Sequence, residues 1–325
     1  SHGGIAFQAF SYLFYALESS MICFQIKPDF IIGTSSRLMT GVLSAFQACI
    51  YRCKYYLDIR DIFSESFSDI YFKNSKVMRS IFKKFFLVIE KNILSRAAGV
   101  NVVAKSFCEY FTINGLNTDQ WSTYSNGVDE DFFNISLAKK KPHSGKVTVL
   151  YAGNIGLAQG LASIIPEIAM RLKDNYRFQI IGDGSERFLL EENIKRYSLT
   201  NIDIIKPMPR KELIEYYKRT DVLFLHLSDV PAFKRVLPSK IFEYSVLGKP
   251  IIAGISGYSR IFLEKNVPHS LVFKPGDLEE CLNSFAQLKS ISIDIDYINQ
   301  LKIKYARKNI MINLATKINN FAQDL

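Results

Sequence analysis

The sequence predicts an α/β protein built from two doubly wound domains, in which helices surround parallel sheets. Its 325 residues correspond to about two domains at roughly 150 residues each. The apolar content of 48% is sufficient for two ordinary cores. Short β-branched runs alternate with helix-period stretches, which is the pattern of successive βαβ units.

The first half of the chain shows this alternation incompletely. It opens with a helix-like stretch at 5–26, rich in aromatic residues but interrupted by Gln8 and Glu18. No run of 18 uncharged apolar residues occurs, so we expect no membrane-spanning helix. Strand candidates lie at 30–33, 55–59, 99–104 and 121–125. This half resembles the rear part of a doubly wound domain.

The segment 127–145 separates the two halves. It carries three consecutive lysines, Lys139 to Lys141, followed by Pro142, and this composition predicts an exposed linker. The domains are accordingly predicted as 1–143 and 144–325, and we allow for the last helix returning to the N-terminal domain.

The second half carries the clearest pattern. Strand candidates lie at 147–151, 178–181, 202–205, 222–226 and 250–253. Helix-period stretches lie between them at 159–173, 185–198, 210–219 and 238–247. Such regular alternation predicts βαβ units around a parallel sheet.

Cysteine usage argues against both a disulfide framework and a metal site. The five residues are Cys23, Cys49, Cys53, Cys108 and Cys281. Their number is odd, no CxxC pair occurs, and no clustered histidines complete a zinc shell. We therefore expect buried thiols in a reducing compartment, and no metal or cofactor.

A glycine-containing turn follows the first strand of the second half. Residues 151–156, Tyr-Ala-Gly-Asn-Ile-Gly, lead into a helix that contains Gln159. Gly153 and Gly156 would let backbone N–H groups approach a ligand beside Asn154. The spacing matches neither GxxxxGK[ST] nor GxGxxG. Phosphate binding and an ordinary turn both remain open.

A second glycine turn, Gly182-Asp183-Gly184, follows the next strand. Taken alone it indicates turn chemistry, with Ser185 as a helix N-cap.

The segment 237–253 is more informative. Pro238 and Ser239 open a helix whose first turn favours an anion, Lys240 adds positive charge, and Glu243 lies about one turn further on. A capped amphipathic helix with a solvated glutamate is the open alternative.

Taken as a set, these motifs resemble the donor-binding half of glycosyltransferase family 4, which has the GT-B fold of two Rossmann-like domains facing a cleft. The colinear motifs are GNIGLAQG (153–160), IGDGSER (181–187), PSKIFEYSVLGKPIIA (238–253) and KPGD (274–277). Upstream, KPDFIIGTS (27–35), DIRDIFSES (58–66) and SNGVDEDFF (125–133) resemble the branch that transfers amino sugars in bacterial polysaccharide and O-antigen assembly.

The resemblance implies specific roles. Glu243 would bind the nucleotide ribose, Ser239 and Lys240 would meet the diphosphate, and the 153–156 loop would approach the transferred sugar. The implied reaction retains the anomeric configuration without a metal, because the helix dipole and cations stabilise the leaving diphosphate. The remaining donor-binding candidates are Gly182, Asp183, Gly184, Met208 and Arg235.

The sequence departs from the family pattern at several positions. Arg235 stands eight residues before Glu243, where many members have an acidic residue. Asn154 and Gln159 replace two usual diphosphate cations, and Lys240, Arg235 or Lys206 could supply that charge. Arg60 aligns with a histidine often found in the front domain. We therefore take Arg60, its neighbour Asp61, and Lys240 as catalytic candidates.

The family resemblance also predicts that the front domain is incomplete. A full domain of this kind begins with a strand and a glycine-bearing loop, and Ser1 aligns after that unit. Ordinary domain size suggests that roughly 70 to 90 residues are missing.

The segment 71–105 carries eight basic residues against one acidic residue, Glu90, which is +7 of the chain's net +10. The basic residues are Lys73, Lys76, Arg79, Lys83, Lys84, Lys91, Arg96 and Lys105. On a helix, Met78, Ile81, Phe82, Phe85, Val88 and Ile89 form one apolar arc. Leu87 and Leu94 share the opposite face with lysines, which predicts an anionic membrane interface. A solvated basic face is the alternative, and no nucleic-acid motif accompanies it.

Two functions follow from the sequence. The first is a cytoplasmic, peripheral-membrane glycosyltransferase that moves a hexosyl or N-acetylhexosaminyl group from a UDP-linked donor to a lipid-linked saccharide. The second is a non-catalytic remnant that binds a nucleotide sugar or a partner. Glu243 and the intact donor loops favour the enzyme; the missing N-terminal unit and absent cations favour the remnant.

Overall fold

The computed structural model describes residues 5–323 apart from 36, 73–74, 134 and 136–144. The described residues form two units. One comprises those of Ser1–Ser125 and Asn309–Leu325, and the other comprises those of Asn126–Lys308. The division thus lies between Ser125 and Asn126, earlier than the predicted 143/144.

The start of the predicted linker packs within the second unit. Val128 forms a parallel β-bridge with Ala306, and the Phe132 side chain is buried. Since these contacts anchor the chain from Val128 onward, the prediction of an exposed linker is wrong for this part. The stretch Lys139 to Pro142 lies outside the described residues.

The first unit is built on a four-stranded parallel sheet in the order β1-β2-β3-β4. Its elements are α1 (Ile5–Ile26), β1 (Phe30–Ser35), α2 (Leu38–Tyr51), β2 (Lys54–Ile59), α3 (Phe63–Tyr71), α4 (Lys76–Ser95), β3 (Gly99–Val102), α5 (Lys105–Ile113) and β4 (Ser122–Thr123). Phe321 from the C-terminal segment packs against Tyr56 of β2, with ring centroids 5.7 Å apart.

The second unit contains a six-stranded parallel sheet in the order β10-β9-β8-β5-β6-β7. Its elements are β5 (Val147–Ala152), α6 (Leu161–Arg171), β6 (Tyr176–Ile181), α7 (Arg187–Arg196), β7 (Ile202–Ile205), α8 (Arg210–Arg219), β8 (Val222–His226), α9 (Ser239–Ser245), β9 (Ile251–Gly254), α10 (Gly257–Asn266), β10 (Ser270–Phe273), α11 (Leu278–Gln287) and α12 (Ile295–Lys304). The last helix, α13 (Arg307–Gln323), begins at the end of this unit and belongs to the first unit from Asn309 onward. Short 3-10 helices lie at Glu130–Phe132, Pro231–Lys234 and Leu288–Ser290.

The strand order confirms the predicted α/β class and locates the most favourable place for a ligand. β5 pairs with β6 on one side and β8 on the other, so the direction of winding reverses between β5 and β8. Open α/β sheets bind ligands outside the carboxyl ends of their strands at such a switch point. β8 and β9 are buried at every residue, as expected for strands covered on both faces.

Helices α3 and α4 in the first unit turn polar side chains inward. The buried residues of α3 are Ser64, Glu65, Ser66, Ser68 and Asp69. On α4, Lys83 Nζ lies 2.8 Å from Glu65 Oε1, and Arg79 Nη1 lies 3.8 Å from Asp69 Oδ1. Glu90 is buried on the same helix. The carboxylates of α3 therefore draw two of the predicted surface cations inward.

The outer face of α4 is apolar, which reverses the predicted orientation. Its exposed large hydrophobic residues are Val77, Met78, Ile81, Phe85 and Val88. Leu94 is buried and Leu87 is half-buried, so the prediction that these leucines are exposed is wrong. The ion pairs with α3 explain the reversal, because they fix the cationic face of α4 against α3.

The cysteines only partly follow expectation. All five are free, but only Cys281 is buried, and Cys49 is exposed. No helix among the residues that the structure describes combines the length and hydropathy needed to cross a membrane.

Candidate functional site

A cavity of about 310 Å³ opens at the carboxyl ends of β5, β6 and β7 in the second unit. Its lining residues are Ala152, Gly153, Asn154, Ile181, Gly182, Asp183, Pro207, Met208, Leu213 and Lys240. The cavity adjoins the end of β5, the strand at which the winding of the sheet reverses. This is the position at which α/β sheets bind ligands.

The cavity brings together six of the predicted donor-binding residues. These are Gly153, Asn154, Gly182, Asp183, Met208 and Lys240. The other six do not line it: Gly156, Gln159, Gly184, Arg235, Ser239 and Glu243. Of the three cations considered as charge donors, Lys240 lines the cavity, while Arg235 and Lys206 do not. The lining therefore concentrates the predicted diphosphate contact on Lys240.

The two glycine turns bind each other rather than offering all their N–H groups to a ligand. Gly153 N donates to Ile181 O at 2.9 Å, and Ile155 N donates to Asp183 O at 2.8 Å. Gly156 N donates to the Gln159 side chain at 3.2 Å. The expectation that Gly153 and Gly156 present their N–H groups to a ligand is therefore wrong in the free protein.

Close contact between the two turns explains why positions 182 and 184 are glycines. A Cβ atom on Gly182 would lie 1.8 Å from Gly153 O, and one on Gly184 would lie 2.4 Å from Ile155 O. Both glycines also have φ near +155°, which side chains with a Cβ rarely adopt. The Gly-Asp-Gly motif is thus a packing requirement of the cavity wall.

Asn154 and Gln159 form a neutral amide pair at the first turn. Asn154 Nδ2 donates to Gln159 Oε1 at 2.9 Å, and the same oxygen accepts from Gly156 N. Tyr151 Oη donates to Asn154 O at 2.6 Å from beneath. Three hydrogen bonds therefore hold Asn154 and Gln159 in place.

Lys240 and Glu243 form an ion pair on α9. Lys240 Nζ lies 2.8 Å from Glu243 Oε2, and the Glu243 side chain is only 12% exposed. The alternative of a solvated glutamate on a capped helix is therefore excluded. Ser239 begins the helix and is exposed, and no side chain caps it.

Three buried tyrosines pack beneath this pair: Tyr151, Tyr217 and Tyr244. Tyr244 Oη accepts from Ala152 N at 3.2 Å, and the Tyr217 ring packs edge to face against the Tyr244 ring. Burial raises the pKa of all three phenols well above the ordinary value. They therefore stay protonated. Their role could not be predicted from the sequence, since a tyrosine within a strand or a helix carries no signal beyond core packing.

His226 ends β8 and joins two loops. Gly276 N donates to Nε2 at 3.0 Å, so Nδ1 carries the proton and donates to Gln159 O at 2.7 Å. Burial lowers the pKa of the imidazole, which keeps it neutral. With both nitrogens bonded to the backbone, His226 has a structural role.

The remaining catalytic candidates lie in the first unit. Arg60 Nε donates to Asp58 Oδ2 at 2.9 Å. Asp61 accepts from Ser66 Oγ at 2.7 Å, and burial raises the pKa of its carboxyl group. Neither unit by itself brings Arg60 and Asp61 together with Lys240.

Known proteins share both the fold and a family model with this chain. The fold is GT-B. HepE from Anabaena, solved in complex with UDP, superposes with a TM-score of 0.70 at 15% identity, covering 94% of this chain and 82% of that one. The chain belongs to the family of glycosyl transferases group 1, whose model matches residues 133–307.

Two curated relatives match shorter stretches. A 2-deoxystreptamine N-acetyl-D-glucosaminyltransferase of Niallia circulans is 30% identical over 116 residues, 35% of this chain and 28% of that protein. The putative colanic acid biosynthesis glycosyl transferase WcaI of Escherichia coli (strain K12) is 24% identical over 174 residues, 53% of this chain and 41% of that protein. The matched stretches thus span less than half of either relative.

Proposed function

We propose that this protein transfers a sugar from a nucleotide diphosphate donor, with UDP as the nucleotide, to a lipid-linked saccharide in bacterial surface polysaccharide assembly. The observation that carries the proposal is the cavity beside β5 with the Lys240–Glu243 pair at its edge. The UDP complex of HepE supports the choice of nucleotide. The WcaI relative supports the polysaccharide role. Placement in family 4 and its amino-sugar branch rests on the motif set.

Glu243 and Lys240 would have different roles during sugar transfer. Glu243 would accept a hydrogen bond from the ribose, as the family resemblance implies, and Lys240 would lie beside the diphosphate. Negative charge develops on the diphosphate as the sugar leaves, so a fixed ammonium group stabilises the transition state more than the ground state. Retention of configuration without a metal is part of the proposal.

The Asn154–Gln159 pair lacks charge and offers amide donors and acceptors. It is therefore better suited to polar groups of the transferred sugar than to a phosphate. The N-acetylglucosaminyltransferase relative supports an N-acetylhexosaminyl donor over a plain hexosyl one.

UDP binding tests the proposal directly. Calorimetry should show UDP binding to the wild type, and Glu243→Ala should weaken it roughly ten- to hundred-fold, because a charged acceptor for a ribose hydroxyl is worth about 1.5 to 3 kcal/mol. With a dideoxyribose analogue of UDP, the variant and the wild type should bind alike, because the hydroxyl groups are gone.

The matched control is Glu215→Ala. It removes an ion pair with Lys218, whose Nζ lies 2.7 Å from Glu215 Oε1, between residues three positions apart, as in the Lys240–Glu243 pair. Neither Glu215 nor Lys218 lines the cavity. This variant should bind UDP like the wild type. Failure of folded wild-type protein to bind UDP would refute the proposal. Equal losses in both variants would refute the role of Glu243.

We also propose that the protein acts at the cytoplasmic face of the cell membrane, through α4. Exposed apolar residues, among them Ile81, Phe85 and Val88, form its outer face. Lys76 and Lys84 are exposed on the same helix. An apolar stripe flanked by cations fits an anionic lipid surface, because the apolar part enters the interface while the ammonium groups meet the headgroups.

Vesicle sedimentation separates the electrostatic contribution of the lysines from the apolar contribution of the outer face. Lys84→Glu should reduce binding to anionic vesicles, since each cation near the surface contributes about 1 kcal/mol, and high salt should reduce binding further through screening. Phe85→Ser should reduce binding at low and high salt alike, because the apolar contribution is not screened.

Lys211→Glu provides the control, because Lys211 is exposed in the second unit and undergoes the same change of charge. Lys83 is left intact, since it forms an ion pair with the buried Glu65. If both α4 variants sediment like the wild type, the outer face of α4 does not bind membranes.

A further inference from the structure

The Lys240–Glu243 pair is connected to the floor of the cavity through buried phenols. Lys240 Nζ donates to Tyr217 Oη at 3.5 Å as well as pairing with Glu243. Tyr217 packs in turn against Tyr244, and Tyr244 accepts from the backbone N–H of Ala152. Ala152 and Lys240 both line the cavity.

These contacts join three separate elements. Tyr217 belongs to α8, Tyr244 belongs to α9, and Ala152 ends β5. The two tyrosines are fully buried and their rings pack edge to face, with centroids 6.0 Å apart. Water does not compete for hydrogen bonds at such depth, so each bond fixes its partner more strongly than an exposed bond would.

Packing alone does not require the Tyr217 hydroxyl group, but its contact with Lys240 does. Phenylalanine would fill nearly the same volume, yet it would leave Lys240 Nζ with one side-chain partner fewer. A lysine side chain has many rotamers, so a second fixed acceptor restricts where its ammonium group lies. Fixing that group in advance reduces the entropy lost when a ligand binds.

We propose that Tyr217 is a positioning residue that holds the Lys240 ammonium group over the cavity for the donor diphosphate. This inference rests on the proposed function. Tyr217 does not itself touch the donor; it acts through Lys240, and Tyr244 anchors it to the end of β5.

A double-mutant cycle measured by UDP calorimetry tests the proposal. Tyr217→Phe should weaken UDP binding roughly two- to ten-fold, the range of one hydrogen bond. In a Lys240→Met background, Tyr217→Phe should have no further effect, because the group that it positions is gone. A purely structural role would give the same loss in both backgrounds.

Tyr176→Phe is the matched control. It removes a tyrosine hydroxyl that donates at the same 3.5 Å, to Phe285 O, in the same unit but outside the cavity lining. It should leave UDP binding unchanged.

Three outcomes would overturn the inference: an unchanged dissociation constant in Tyr217→Phe, an equal loss in the Lys240→Met background, or an equal loss in Tyr176→Phe. Wild-type protein that does not bind UDP would overturn the proposed function and this inference together. Normal wild-type binding with an unaffected Tyr217→Phe would overturn this inference alone.

Discussion

Gly182→Ala is expected to abolish UDP binding and to destabilise the protein by about 2 to 6 kcal/mol. The new methyl group would lie 1.8 Å from Gly153 O, and the clash is with backbone, which cannot rotate away. Backbone strain and overpacking each cost about 1 to 3 kcal/mol. The two turns must therefore separate, and they form one wall of the cavity.

Thermal denaturation and UDP calorimetry together check this expectation. The control is Gly276→Ala, because Gly276 also has a positive φ, +77°, but a Cβ atom there would meet nothing within 4 Å. This variant should lose only about 1 to 2 kcal/mol of its free energy of unfolding, because alanine adopts this backbone conformation at a cost. Equal losses in the two variants would show that strain, and not the contact between the turns, decides the effect.

Glu90→Gln should make the protein more stable at pH 8 and leave its stability unchanged near pH 4. Burial raises the pKa of the Glu90 carboxyl group to about 7. Ser64 N donates to Oε1 at 3.2 Å, which the glutamine oxygen preserves. Oε2 has no hydrogen-bond partner among the described residues.

The direction follows from proton linkage. The folded state holds the proton more tightly than the unfolded state, so stability contributed by Glu90 is present below about pH 4.5 and declines as the pH rises to about 7. Each pKa unit corresponds to about 1.4 kcal/mol, so the full effect reaches about 3 kcal/mol. Glutamine removes this decline.

Urea denaturation at several pH values measures this pH dependence of the free energy of unfolding. Glu109→Gln is the control, since Glu109 is exposed on α5, and its profile should follow the wild type. A Glu90→Gln profile parallel to that of the wild type from pH 4 to pH 8 would contradict the assignment of a raised pKa.

Much of the second unit could be predicted from sequence because its strands are buried on both faces. The apolar run at 222–226 coincides with β8, Val222–His226, since nothing polar interrupts it. β10, Ser270–Phe273, was not predicted, whereas the equally short β7 was, because β7 contains three isoleucines and β10 has one β-branched residue, Val272. Short edge strands carry little periodic signal.

The errors in the first unit have a common physical cause. Periodicity identifies an amphipathic helix, but it does not show which face turns inward when the neighbouring helix supplies buried carboxylates. The pairing of Lys83 with Glu65 joins residues on different helices, and sequence spacing along α4 does not contain it. The same limit hid Tyr217, whose partners lie on α9.

The site itself was partly predictable. Motif order placed Gly153, Gly182 and Lys240 together, and all three line the cavity. Where the N–H groups of the first turn point could not be predicted, because their acceptors come from elsewhere: Ile181 ends β6, and Asp183 lies in the turn after it. Local sequence limits the turn geometry but not its partners.

A crystal structure of the protein with bound UDP would show whether the cavity beside β5 binds the nucleotide. We expect the diphosphate in the cavity lined by Gly153, Met208 and Lys240, with Lys240 Nζ within hydrogen-bond distance of a phosphate oxygen and Glu243 on the ribose. UDP bound elsewhere, or a diphosphate that leaves Lys240 without contact, would contradict this expectation.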